Sequence, residues 1–88
     1  MSRPRLVDGA RLQYDDVRDE HLLLIPEGAV RLNATAAQVL ELCDGERTVE
    51  EIAAALSERY AGADVAGDVR ELLGGMEQKG LVVDAGAA

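Results

Sequence analysis

The chain has 88 residues, with nine Lys or Arg against seventeen Asp or Glu and a net charge of -8. A chain this short supports one modest core, burying roughly 60–65% of the surface it exposes when unfolded. The acidic balance, with basic residues scattered rather than clustered, weighs against nucleic acid and against an anionic membrane, both of which are held by grouped Lys and Arg.

The remaining composition narrows the class further. There is no Trp or Phe and there are two Tyr, so the chain has no aromatic platform for bases or sugars. Cys43 is the single cysteine and cannot form an internal disulfide. No apolar run reaches the ~20 residues of a membrane span. Met1 to Arg5 is charged, and no apolar segment of signal-peptide type follows it. A soluble cytoplasmic domain covering residues 1–88 is expected, with an ordered core over about 6–83.

In chain order, residues 1 to about 10 are polar, contain Pro and Gly, and are expected to pack loosely. Arg11 to Asp15 alternates with period two, which predicts a short strand with Leu12 and Tyr14 on one face. His21 to Ile25 is a short apolar run, and its length favours a strand over a helix. Pro26-Glu27-Gly28 has the order of a type I turn. Ala29 to Leu32 alternates again, placing Val30 and Leu32 inward and Ala29, Arg31 and Asn33 outward. These segments predict a three-stranded antiparallel meander.

The periodicity changes at Asn33. Either Asn33 or Thr35 can cap a helix with Ala36, Val39, Leu40 and Cys43 on its apolar side. Asp44-Gly45 is expected to end it, with Gly45 left-handed. Thr48 followed by Glu51 is a capping box, and the helix it opens carries Val49, Ile52, Ala53, Leu56 and Tyr60 on one stripe. Ala61-Gly62-Ala63 breaks the pattern. Asp64 can then cap a third helix whose stripe is Val65, Val69, Leu72, Leu73 and Met76. Gly80 closes it, Leu81 to Val83 is a strand or an extended tail, and residues 84–88 are expected to fray. The order of elements predicts an α+β fold of winged helix-turn-helix type, with the antiparallel sheet before three helices.

No constellation carries catalysis. His21 is the single histidine and has no Cys or second His at ligand spacing, whereas metal sites and general bases need positioned partners. Cys43 reads as a small buried hydrophobe. The carboxylates Asp15-Asp16, Asp19-Glu20 and Glu50-Glu51 are sequence neighbours, which point apart on a strand or helix. The glycines form no phosphate loop. Neither a cofactor nor a metal is expected.

Two features bear on binding. The strand Ala29 to Asn33 leaves directly for a helix and is expected at the sheet edge, where unpaired backbone groups accept an extended peptide. Val30 is taken here as one donor to that peptide. Alternatively the edge is covered within the domain or by a second copy. Gly75, on the flank of the third helix's stripe, either marks a weak helix or lets another backbone approach.

The central block resembles a known family. Pro26-Glu27-Gly28-x-Val30-x-Leu32-Asn33-x-Thr35-Ala36, then Leu40-x-Leu42-Cys43-Asp44-Gly45, then Arg47-Thr48-Val49-x-Glu51-Ile52 is similar to PqqD of pyrroloquinoline quinone (PQQ) biosynthesis. The likeness runs from Leu6 to Val83, and Gly74-Gly75 departs from it. It implies a peptide chaperone, a RiPP recognition element, that binds the ribosomal precursor peptide PqqA and presents it to the radical S-adenosylmethionine enzyme PqqE. The peptide would add as a strand to Ala29, Val30, Arg31, Leu32 and Asn33, and pack on Asp68, Leu72, Gly75 and Met76. Two other readings stand beside it: a winged-helix DNA-binding regulator and a self-associating subunit that forms a homodimer through the same edge. The third helix argues against the regulator, since Arg70 and Lys79 face Asp64, Asp68, Glu71 and Glu77.

Overall fold

The computed structural model describes residues 2–86. Five strands and three helices follow in the order β1 (Pro4–Leu6), β2 (Arg11–Asp15), β3 (Glu20–Ile25), β4 (Gly28–Leu32), α1 (Ala34–Glu41), α2 (Val49–Arg59), α3 (Ala66–Gln78) and β5 (Val82–Asp84). The predicted meander is present as an antiparallel sheet in the order β2-β3-β4. Leu23 lies opposite Leu12 on one side and Val30 on the other. Directly opposed residues share a face, so these three point into the core, with Leu23 fully buried. Tyr14 shares their face but lies at its open end, half exposed, with its ring 4.9 Å from that of His21.

The segment before Arg11, expected to be loose, contains β1, and pairing reaches beyond the 6–83 core at both ends. Pro4–Leu6 pairs antiparallel with Val82–Asp84 in a separate two-stranded sheet. The other edge of β1 is used too: the Gly45 amide donates to the Pro4 carbonyl at 3.0 Å and the Val49 amide to the Ser2 carbonyl at 3.3 Å. Residues 84–86, expected to fray, are tied by the Asp84 carboxylate, which accepts from the Arg3 and Gly86 amides at 2.9 Å each. The Arg3 amide first, with Gly86 and Ser2 adding to it, lowers the pKa of this carboxyl. Its contribution therefore holds above the unfolded carboxylate pKa and fades as pH falls through the lower folded value. The fraying expected for residues 87 and 88 lies outside the described residues, as does Met1.

Local chemistry sets the helix starts. Asn33, rather than Thr35, caps α1, its side-chain oxygen accepting from the Ala36 amide at 2.7 Å. Thr48 and Glu51 form the expected box, with amide-to-side-chain bonds of 3.2 and 2.9 Å. The start of α3 differs from expectation: Asp64 lies one residue early, accepts from the Ala66 amide at 3.2 Å, and Val65 occupies the cap. The end of α1 differs as well. Its cap is Leu42, three residues before Gly45. Gly45 is left-handed (φ 81°), and a Cβ there would lie 3.5 Å from the Arg5 side chain. It lets the chain pass β1, and it does not terminate the helix.

The three helices close one core with the inner face of the sheet. Leu23, Leu40, Ile52, Leu56, Val39 and Val69 are its largest fully buried side chains, each worth about 1.5–3 kcal/mol by burial. Cys43 is buried among them.

Two measurements check this packing. Thr48 is a buried polar residue whose hydroxyl serves the cap, so Thr48→Ala should cost about 1 kcal/mol and lower Tm by about 4–8 °C, while Thr48→Ser should hold. An unchanged Tm in Thr48→Ala would contradict the cap's role. Burial, with Asp44 adding to it, pushes the Cys43 thiol up to about 12. The folded protein at pH 8 should therefore react slowly with a thiol reagent and the unfolded chain rapidly; equal rates would contradict the burial.

Candidate peptide-binding edge and groove

β4 is the outer strand of its sheet, bonded to β3 on one side only among the described residues. Its register decides which backbone groups are free. The two-residue turn Pro26-Glu27 joins Ile25 and Gly28, which are opposed in the ladder, and a loop that short closes on a hydrogen-bonded pair. Bonded and non-bonded pairs alternate from there. Gly28, Val30 and Leu32 therefore spend their amides on β3, and Ala29 and Arg31 turn theirs outward. Val30 is not a donor to a guest strand: its backbone belongs to the ladder. The sequence placed the edge but not the phase of its hydrogen bonds.

The side chains of β4 run in the complementary phase. Val30 and Leu32 point inward and are half-buried, packed against the core cluster. Arg31 lies on the outer sheet face, its guanidinium 3.9 Å from Glu20 and mostly exposed. Such an exposed pair contributes little to stability, which leaves Arg31 available.

Beyond the end of β4 lies a cavity of ≈ 310 Å³ between the start of α1, the end of α2 and the start of α3. Its floor is apolar and buried: Ala36, Val39, Leu56 and Val69. Its rim holds Asn33 and Thr35 on one side and Tyr60, Val65, Asp68 and Leu72 on the other. Of the residues expected at the site, Asn33, Asp68 and Leu72 line this cavity, and Ala29 to Leu32 form the adjoining edge. Met76 is a core side chain at 7% exposure, because it sits at the centre of the buried face of α3. Gly75 is half-buried outside the cavity.

Tyr60 is the residue the sequence reading missed. Its helical spacing put it on the buried stripe of α2, but it is the C-cap of that helix and is 39% exposed at the cavity rim. The break signal that follows it, with Ala61 at φ 57°, was the available clue that the stripe had already ended.

The electrostatics of this face are acidic. Arg70, the one basic residue within α3, lies 3.9 Å from Glu50 of α2. Among the described residues, no three His, Cys, Asp or Glu gather as a metal site, and no helix is long and apolar enough to cross a membrane.

Comparison with known proteins places this geometry. Residues 20–82 match the family model described as coenzyme PQQ synthesis protein D (PqqD). A bifunctional coenzyme PQQ synthesis protein C/D of Methylorubrum extorquens is 42% identical over 78 residues, which cover 86% of this chain and 21% of that protein. A PqqA binding protein of Pseudomonas aeruginosa is 49% identical over 59 residues, covering 67% of this chain and 64% of that one. Among solved structures, the PqqD truncation of Methylobacterium extorquens PqqCD, described as a functional stand-alone RiPP recognition element, superposes with a TM-score of 0.78. It is 39% identical, covering 91% of this chain and 87% of that one. TbiB1 in complex with the TbiA(β) leader peptide gives 0.73 at 26% identity, covering 96% and 98%. The meander, the capped helix and the box at Thr48 fall inside the matched segment, and the chain belongs to the PqqD family.

Proposed function

We propose that this chain is a non-catalytic peptide chaperone of PQQ biosynthesis, which binds PqqA by strand addition to β4 and presents it to the radical S-adenosylmethionine enzyme PqqE in the cytoplasm. The observation that carries the reading is the junction of an unpaired edge with an apolar cavity. Ala29 and Arg31 turn free amides outward, and Asn33, which ends that edge, also lines the ≈ 310 Å³ space beside α3. Relatives bearing the name PqqA binding protein and a leader-peptide complex of the same fold support the choice of guest.

The two halves of the site do different work. Edge hydrogen bonds fix the register of any extended chain and discriminate little between sequences. The cavity discriminates, since it rewards an apolar side chain that fills it. Ordering a flexible peptide costs about 2–5 kcal/mol, and burying one large apolar side chain returns about 1.5–3 kcal/mol. The edge alone or the cavity alone is therefore insufficient. Holding the guest near the enzyme raises its effective concentration there, and this needs no chemistry from the carrier. A DNA-binding role fits poorly, because α3 opposes Asp68, Glu71 and Glu77 to Arg70, and phosphate binding depends on the reverse balance.

Proline at position 31 tests the edge with little disturbance to the ladder. The Arg31 amide faces outward, so a proline there leaves the β3–β4 bonds intact and places its ring where the guest backbone would lie. Arg31→Pro should weaken binding of a synthetic PqqA peptide about tenfold or more, while Arg31→Ala, which keeps the amide, binds nearly as the parent does. A folded Arg31→Pro protein with parental affinity would contradict strand addition at β4.

A further inference from the structure

Resting on that reading, we propose that Gly75 is a side-chain-free notch in the α3 wall that admits a bulky apolar residue of the guest peptide. Position 75 thereby sets the size of the residue accepted there.

α3 carries two glycines side by side in its interior, Gly74 and Gly75. Glycine weakens a helix through its extra unfolded-state freedom, so their presence calls for a reason. Inside the domain there is none. Neither residue has a positive φ, and a Cβ built on either would meet nothing within 4 Å. No turn, close approach or neighbouring side chain requires glycine at position 75.

Helical geometry separates the pair. Neighbours on a helix point about 100° apart. Gly75 lies two turns after Asp68 and close to the same line, and Asp68 lines the cavity beside β4. Gly75 is also half-buried, whereas Gly74 is exposed. Gly74 borders the small cleft against β1 and β5 instead. The bare stretch at Gly75 thus continues the groove wall beyond Leu72, on the side that an added strand would cover.

The occupant follows from chemistry and space. A strand laid along β4 sends alternate side chains inward. One of these enters the cavity, and another meets α3 further along. Leu72 flanks that second place with apolar surface, while Gly75 offers backbone and open space. A large aliphatic or aromatic residue fills such a notch. A Cβ added at position 75 would compete with it, and overpacking of a fitted contact is unfavourable.

The test separates binding from stability by using the two glycines against each other. Gly74→Ala and Gly75→Ala should each raise Tm by about 2–6 °C, because alanine favours the helix in both places. By fluorescence anisotropy with a synthetic PqqA peptide, Gly74→Ala should bind as the parent does and Gly75→Ala about fivefold or more weakly. Alanine-scanned PqqA peptides should contain one apolar position whose truncation weakens binding to the parent and has less effect on Gly75→Ala, the mark of direct coupling. Parental affinity in Gly75→Ala would overturn the notch, as would equal weakening by both alanines, which would implicate helix rigidity. Loss of binding in Arg31→Pro together with no effect of Gly75→Ala would retain strand addition and discard the notch. A parent protein that binds no PqqA peptide would overturn both.

Discussion

The open edge of β4 is the constraint around which this small domain is arranged. A three-stranded sheet must end somewhere, and exposed edges invite indiscriminate pairing. Here the exposure is short and phased. Only Ala29 and Arg31 turn backbone outward between the turn at Pro26-Glu27 and the cap at Asn33. Arg31 places a charge on that rim, which hinders association with ordinary hydrophobic strands. Because the helix cap follows at once, the edge runs directly into the space between α1 and α3. A guest strand therefore meets hydrogen-bond donors and an apolar pocket in one continuous path.

The rest of the fold serves to hold the groove's two sides apart and rigid. α1 is fixed to β4 by Asn33, and α2 enters through the Thr48–Glu51 box and supplies Leu56 to the floor and Tyr60 to the rim. α3 is held from behind by the β1–β5 ribbon, which draws the two ends of the chain together. That ribbon uses both edges of β1, so its backbone is not offered to a guest. The contrast between a spent ribbon and an open β4 gives the domain a preferred side for accepting a peptide. The second open edge, on β2, lacks the cavity lined by α3.

Much of this was legible in the sequence, and the exceptions have physical causes. Period-two alternation with turn residues located β2 to β4, and the capping residues Asn33 and Thr48 located two helix starts, because these signals act over a few residues. β1 escaped notice because Pro4–Leu6 has no pattern of its own: it is a strand only because Val82–Asp84 comes back to it from the far end of the chain. The hydrogen-bond phase of β4 was hidden for a related reason. Whether Val30 or Arg31 faces the edge depends on how the turn closes against Ile25, and side-chain alternation alone does not show it. Tyr60 was assigned to the core because helical spacing says nothing about where a helix stops. Asp68 and Leu72 were placed correctly at the groove, since both lie on the flank of a clear stripe, whereas Met76 lies at its buried centre.

The most direct test is amide hydrogen exchange at single residues of β4, with and without saturating PqqA peptide. In the free protein, Val30 and Leu32 should exchange slowly and Ala29 and Arg31 quickly, since only the first pair is bonded to β3. Peptide should then slow Ala29 and Arg31, with little change at Val30 and Leu32. Ala29 and Arg31 amides that remain fast in the saturated complex, or that are already protected in the monomeric free protein, would contradict strand addition at this edge.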